Sequence, residues 1–93
     1  GEVQWMNAGA GIVHSERPSE ALAQRNGTQE IIQIWINSPA ASKMKEPYYR
    51  HLSEEQIQVV ISEDKKVKTK VIAGEFKGIK SDLPTESELQ ILW

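Results

Sequence analysis

A histidine and a glutamate stand two residues apart in the opening run GEVQWMNAGAGIVHSE of residues 1–16. If this run ends in a strand, His14 and Glu16 point to the same face, because side chains alternate along a strand. Imidazole and carboxylate together are the ligand set of non-haem iron and related metal sites. Two ligands do not complete such a site, and the second histidine, His51, has no periodic relation to His14. On spacing alone, an ordinary polar pair on a strand face is the stronger interpretation.

Other chemistries have less support from the residue types. Ser15 would point to the face opposite His14, so a serine nucleophile with that histidine as its base is geometrically poor. Gly9 and Gly11 lack the third glycine and the following helix of a dinucleotide-binding turn. The chain has no cysteine, which excludes disulfides, thiolate ligands and cysteine nucleophiles. Any metal must therefore be held by nitrogen and oxygen atoms.

Charge and hydropathy limit the partners of the chain. Its 93 residues include 11 basic and 13 acidic side chains, a formal charge of -2, so no positive field favours nucleic acid or anionic lipid. No apolar run is long enough for a membrane span, and no basic-then-apolar signal pattern is present. We expect a soluble, single-domain, cytoplasmic protein, with the nucleus as the alternative in a eukaryote, that binds neither nucleic acid directly nor membrane.

Strand signals dominate the elements that must position the candidate pair. Apolar residues alternate with period two in short runs between turn-forming segments, which predicts an all-β sandwich or barrel of about six strands. The predicted strands are 3–6, 13–16, 28–37, 57–61, 67–73 and 89–93. The run TQEIIQIWIN over 28–37 is the strongest, and its two apolar faces predict a central position.

The connections carry turn signals. Residues 7–11 should turn the chain, and 17–28 should be mainly a loop in which SEALAQ could form one helical turn. Residues 38–50 form a long connection in which Tyr48 and Tyr49 either close over a pocket or pin the loop. Ser53 and Gln56 fit a capping box.

Two groups of side chains have predicted environments. Lys68 and Lys70 should form a solvated face of the strand over 67–73, with Val67, Thr69 and Val71 facing inward. The three tryptophans lie within strand patterns and should fill the core: Trp5, Trp35 and Trp93.

The opening run resembles the signature of the pirin family, within the cupin superfamily. Similarity continues in IIQIWINSP, KMKEPYY, LSEEQI, VKTKVIAGEFKG and LPTE, which together extend over nearly the whole chain. The resemblance implies a cupin-like β-barrel, or jelly roll. Residues 1–93 would correspond to the second half of the N-terminal barrel, a fragment without its first strands and without the C-terminal cupin.

The resemblance also implies a metal centre. Family members hold one iron through three histidines and one glutamate, and His14 and Glu16 match the last two ligands. The first two belong to an upstream His-x-His pair that nothing in this chain matches, and His51 stands where the family has no ligand. The expected cofactor is therefore iron, or another divalent transition metal, with Glu16 as ligand and as catalytic base if it detaches.

The implied function belongs to the longer parent. That parent is expected to be a non-haem iron flavonol dioxygenase of the quercetin 2,3-dioxygenase kind, using a flavonol-like molecule and O2, while the isolated chain is expected to be inactive. The alternative is an iron-dependent, redox-sensing transcriptional co-regulator with a protein partner. Ala10 weakens the alternative, since it stands where a basic residue is common. Open barrel edges should also allow oligomers.

Overall fold

Strands form nearly all of the regular structure. The computed structural model describes all 93 residues. The seven strands are β1 (Val3–Asn7), β2 (Tyr48–Leu52), β3 (Gln58–Ile61), β4 (Lys68–Ala73), β5 (Glu75–Phe76), β6 (Ile79–Lys80) and β7 (Ile91–Leu92). One short helix, α1 (Glu20–Gln24), and two 3-10 turns, Ala40–Ser42 and Glu54–Gln56, complete the elements. The expected all-β class is confirmed.

The strands form three small antiparallel sheets. β1 pairs with β2, β3–β4–β7 form a three-stranded sheet, and β5 pairs with β6. The predicted hairpin across the polar SEDKK loop is confirmed as β3–β4, in which Gln58 lies opposite Val71. β7 adds to the other edge of β4, with a bulge between Val71 and Ala73. β4 is therefore the central strand of the largest sheet.

The buried core is small and lies against β4. Only 6 of 93 residues are buried, and the apolar ones are Ile57, Val71, Ala73 and Leu83. The radius of gyration is 15.5 Å and the extents are 45 × 42 × 17 Å. A compact domain of this length would have a radius of gyration of about 12 Å. The molecule is thus a thin layer with much of its apolar surface in contact with solvent.

Two predicted strands are absent. Residues 13–16 and 28–37 have no regular secondary structure and pair with no strand, so the expected central position of 28–37 is wrong. Its large apolar side chains are exposed: Ile31 59%, Ile32 60%, Ile34 60%, Trp35 89% and Ile36 42%. Alternation predicts which face a strand buries, but a strand forms only where a neighbour supplies hydrogen-bond partners. This chain supplies none beside either segment.

The long connection after residue 37 is shorter than expected. Tyr48–Leu52 forms β2 and pairs with β1, with Trp5 opposite Arg50, so the assignment of Tyr48 and Tyr49 to a connection is wrong. Turn signals at Pro39 and Pro47 hid a five-residue strand whose partner lies more than 40 residues earlier in the chain.

Short-range signals were more reliable. The SEALAQ turn forms as α1, where the Ser19 side chain accepts a hydrogen bond from the Leu22 N–H at 3.3 Å. The Ser53–Gln56 capping box is present with both of its hydrogen bonds. These contacts join residues three apart, which is why sequence spacing alone predicts them.

Several predicted environments are wrong. Lys68 is exposed as expected, but the Lys70 side chain is only 14% exposed and its Nζ lies 2.6 Å from Glu54 Oε1. Val71 is buried as expected, whereas Val67 is 56% exposed because it precedes β4. Trp35 and Trp93 are 89% and 70% exposed, and only Trp5 is half-buried, so the tryptophans do not fill a common core.

The ion pair of Glu54 predicts a pH dependence. Hydrogen bonds from Lys70 and from the N-terminal ammonium group lower the pKa of the Glu54 carboxyl from 4.5 to about 2. Because the pKa is lower in the folded state, the stabilisation is complete above pH 4.5 and is lost as pH falls towards 2. We expect Glu54→Gln to flatten the decline in the free energy of unfolding across this window in denaturant titrations. Glu63→Gln, which removes a carboxylate without an ion pair, is the control. If the free energy of unfolding fell equally steeply with pH in wild type and in Glu54→Gln, the role given to the Glu54 ion pair would be contradicted.

The unpaired segment predicts self-association. The apolar run at 31–36 contains no proline and no charge, the features that normally protect an exposed edge. We expect the 93-residue chain to form oligomers in sedimentation velocity experiments, and Ile34→Lys to shift it towards monomer. Val13→Lys, at a fully exposed position outside the run, is the control. A wild-type chain that stays monomeric at high concentration would contradict the prediction.

Candidate functional site

The candidate pair follows a tight turn at the end of β1. The Asn7 side-chain carbonyl accepts a hydrogen bond from the Gly9 N–H at 2.9 Å, and the Gly11 N–H donates to the Ala8 carbonyl at 2.8 Å. Gly9 and Gly11 have φ of +47° and +132°. The predicted turn over 7–11 is confirmed, and its positive φ angles explain the two glycines.

The turn is held by the connection that precedes β2. The Ala10 N–H donates to the Lys45 carbonyl oxygen at 2.9 Å. A Cβ on Gly9 would overlap that same oxygen, so only glycine allows the two backbones to come this close. The carbonyl of Lys45 therefore fixes where the chain leaves β1 on its way to His14.

His14 and Glu16 lie near each other although the strand predicted for them does not form. His14 Nε2 is 3.9 Å from Glu16 Oε1, and the side chains are 45% and 44% exposed. A separation of two residues in the sequence keeps the side chains close without a sheet. The pair is accessible to a ligand from solvent.

No further ligand joins the pair within this chain. His51 Nε2, in β2, contacts Oε2 of Glu2, the residue before β1, at 3.2 Å. No group of three or more His, Cys, Asp or Glu side chains is arranged to hold a metal ion. The 93 residues thus present two neighbouring candidate donors rather than a complete centre.

His14 lines a cleft of about 500 Å³. Aromatic side chains contribute to its wall, and the lining includes Trp5, Trp35 and Tyr48. The Tyr48 hydroxyl donates to the Pro84 carbonyl at 3.3 Å, so this tyrosine both lines the cleft and pins a loop. A second cleft of about 570 Å³ contains no histidine and no aromatic residue and shares only Leu89 with the first. The His14 cleft is therefore the candidate binding site.

Glu86 is a cleft residue that sequence reasoning missed. Its carboxylate Oε2 lies 2.6 Å from Lys45 Nζ, and its side chain is 16% exposed. The side chain of Lys45, and to a smaller extent that of Ser42, lowers the pKa of the Glu86 carboxyl group. This group is therefore ionised at neutral pH. No local pattern could reveal it, since its partner lies 41 residues away and the segment KSDLPTESE reads as an ordinary polar loop.

Comparison with known proteins places this geometry in a family. The family model described as Pirin matches residues 1–36, which include β1, the turn and both candidate ligands. Pirin-1 of Arabidopsis thaliana is 45% identical over 92 residues, 99% of this chain. The chain resembles the pirin family over nearly its whole length. Human Pirin is 40% identical over 94% of the chain.

A solved structure supports the cupin-like fold. The backbone matches the crystal structure of quercetin 2,3-dioxygenase from Acinetobacter baumannii with a TM-score of 0.90 and 38% identity, over 99% of this chain and 32% of that one. The cupin-like fold expected from the sequence is thereby confirmed. The chain spans about a third of the length of these relatives, between 28% and 32%. No helix in this chain is long and apolar enough to cross a membrane.

The close approach at Gly9 predicts a selective loss of stability. Gly9→Ala adds a Cβ at φ +47° against the Lys45 carbonyl, whereas Gly78→Ala adds one at φ +78° into open space. Both variants carry the cost of a positive φ, and only Gly9→Ala also carries the clash. We expect the larger fall in the denaturation midpoint for Gly9→Ala. Equal losses for the two variants would contradict the role given to this contact.

Proposed function

We propose that this sequence is the part of a longer two-barrel pirin that supplies His14 and Glu16 to a metal centre. We further propose that the longer protein is an oxidoreductase of the quercetin 2,3-dioxygenase kind. The observation that carries the proposal is the proximity of an imidazole and a carboxylate, 3.9 Å apart, beside an aromatic-lined cleft. The likeness to the Acinetobacter baumannii enzyme, at 38% identity, supports it.

The distance between the two donors is compatible with a shared metal. Divalent first-row metals such as zinc bind nitrogen and oxygen at about 2.0–2.2 Å, so ligands at right angles are about 3 Å apart. His14 Nε2 and Glu16 Oε1 would need to approach by about 1 Å, which rotation of two half-exposed side chains can supply. The donor types suit iron and other divalent transition metals.

The pair is only part of a centre. The family resemblance assigns two further histidines to a His-x-His segment that this sequence does not contain. We therefore expect the isolated chain to bind metal weakly and to be inactive. In the longer protein, His14 would bind the metal through a ring nitrogen. Glu16 would bind as a carboxylate, or accept a proton from the substrate hydroxyl if it detaches.

The cleft suits a planar phenolic substrate. Trp5, Trp35 and Tyr48 offer aromatic surface for a flat ring system, and the Glu86 carboxylate accepts hydrogen bonds from hydroxyl groups. When bound, the metal would supply open positions for a flavonol oxygen and for O2. A flavonol-like molecule is therefore the substrate class we propose. No contact in the structure favours the transcriptional co-regulator.

The first measurement is metal content per chain with intact mass, on this chain and on the longer protein. We expect about one transition metal per longer chain, from a four-ligand site, and little on the 93-residue chain. A longer protein without bound metal after purification with iron would overturn the proposal.

Substitution of His14 tests the ligand assignment. We expect His14→Ala to remove most of the metal from the longer protein, because one of four ligands is lost. His51→Ala is the matched control, since His51 has a similar exposure of 43% and also pairs with a glutamate. Metal content should be measured by elemental analysis with circular dichroism as the check on folding. Unchanged metal in His14→Ala, or equal loss in His51→Ala, would contradict the assignment.

A further inference from the structure

Lys45 joins two parts of the molecule that are distant in sequence. Its backbone carbonyl accepts the hydrogen bond from Ala10 in the turn before His14. Its side-chain Nζ lies 2.6 Å from Glu86 Oε2, in the segment that precedes β7. One residue therefore holds the turn with its main chain and is itself held through its side chain.

Lys45 is itself held by two neighbours. Its N–H donates to the Ser42 carbonyl at 3.2 Å, and Ser42 is 7% exposed in a 3-10 turn. Its Nζ lies 2.6 Å from the Glu86 carboxylate. The Lys45 main chain is therefore held by a buried turn and its side chain by Glu86.

His14 depends on this network because its own segment has few other constraints. No backbone hydrogen bond involves residues 12–18, and no strand lies beside them. The last fixed point before His14 is the turn, and the last contact of that turn outside its own residues is the Lys45 carbonyl. Glu86 also lines the same cleft as His14.

We propose that the Lys45–Glu86 ion pair positions the segment that carries His14 and Glu16. By fixing the Lys45 carbonyl, it sets the turn at Gly9 and Ala10 and thereby the place of His14 in the cleft. This inference rests on the proposed function only in taking His14 as a metal ligand. Toward the metal site, Lys45 and Glu86 act through the turn and are positioning residues rather than metal ligands.

The ion pair has little value as a simple stabilising contact. The Lys45 side chain is 57% exposed, and surface ion pairs contribute little to stability. Loss of the pair should therefore leave the denaturation midpoint nearly unchanged while the turn loses order. Measurements of order at Ala10 and of metal affinity separate positioning from stability.

The first experiment uses this chain without metal. We expect Glu86→Gln to speed hydrogen exchange of the Ala10 amide several-fold, measured by NMR, because the acceptor for that amide is no longer held in place. Glu54→Gln is the matched control, since it breaks a Lys–Glu pair of the same 2.6 Å length in another sheet. Unchanged Ala10 exchange in Glu86→Gln, or equal acceleration in Glu54→Gln, would overturn the proposal.

The second experiment uses the longer protein and ferrous iron as the probe. We expect Glu86→Gln and Lys45→Glu to weaken Fe(II) affinity several-fold, less than the roughly 10–100-fold cost of losing a residue that contacts a ligand directly. Affinity would be measured by competition with a chelator under anaerobic conditions. The charge-reversed double variant Lys45→Glu with Glu86→Lys should restore it, and failure to restore affinity in a folded protein would overturn the proposal.

The two proposals fail in different ways. If the wild-type longer protein binds no iron, the proposed function is wrong, and Ala10 exchange still decides whether the ion pair positions the turn. If iron binds but neither Ala10 exchange nor iron affinity responds to Glu86→Gln, the positioning role alone is wrong.

Discussion

Every extended segment needs a neighbour for its backbone N–H and C=O groups, and the supply of such neighbours explains most features of this molecule. Where a partner exists the strand forms, as in β1 with β2 and β4 between β3 and β7. Where none exists, as at residues 28–37, no strand forms, and the isoleucines and a tryptophan are exposed. The small core and the thin shape follow from the same lack of neighbouring strands.

The candidate site lies at the border between paired and unpaired backbone. β1 is held by β2 up to Asn7, and the segment with His14 and Glu16 begins where that pairing stops. Gly9 allows the turn to contact the Lys45 carbonyl, which makes this contact the last constraint before the two donors. The two side chains are therefore exposed and have few constraints after the turn.

Charged side chains connect parts of the chain that hydrophobic contacts do not. Glu54 joins a 3-10 turn to Lys70 of β4, and Lys45 joins the turn at Gly9 and Ala10 to Glu86. In a thin layer with six buried residues, such pairs specify which segments meet more than they add to stability. The low pKa of Glu54 and the lowered pKa of Glu86 follow from the neighbouring ammonium groups.

Local spacing in the sequence determined the turn at 7–11, the cap at Ser53, the β3–β4 hairpin and the closeness of His14 to Glu16, because each depends on residues near one another along the chain. The opening motif also predicted the family. Tertiary structure alone decided that 28–37 lacks a partner, that Tyr48–Leu52 pairs with β1, and that Glu86 lies beside Lys45. Alternation records which side of a segment is apolar, whereas pairing and ion contacts depend on chain segments tens of residues apart.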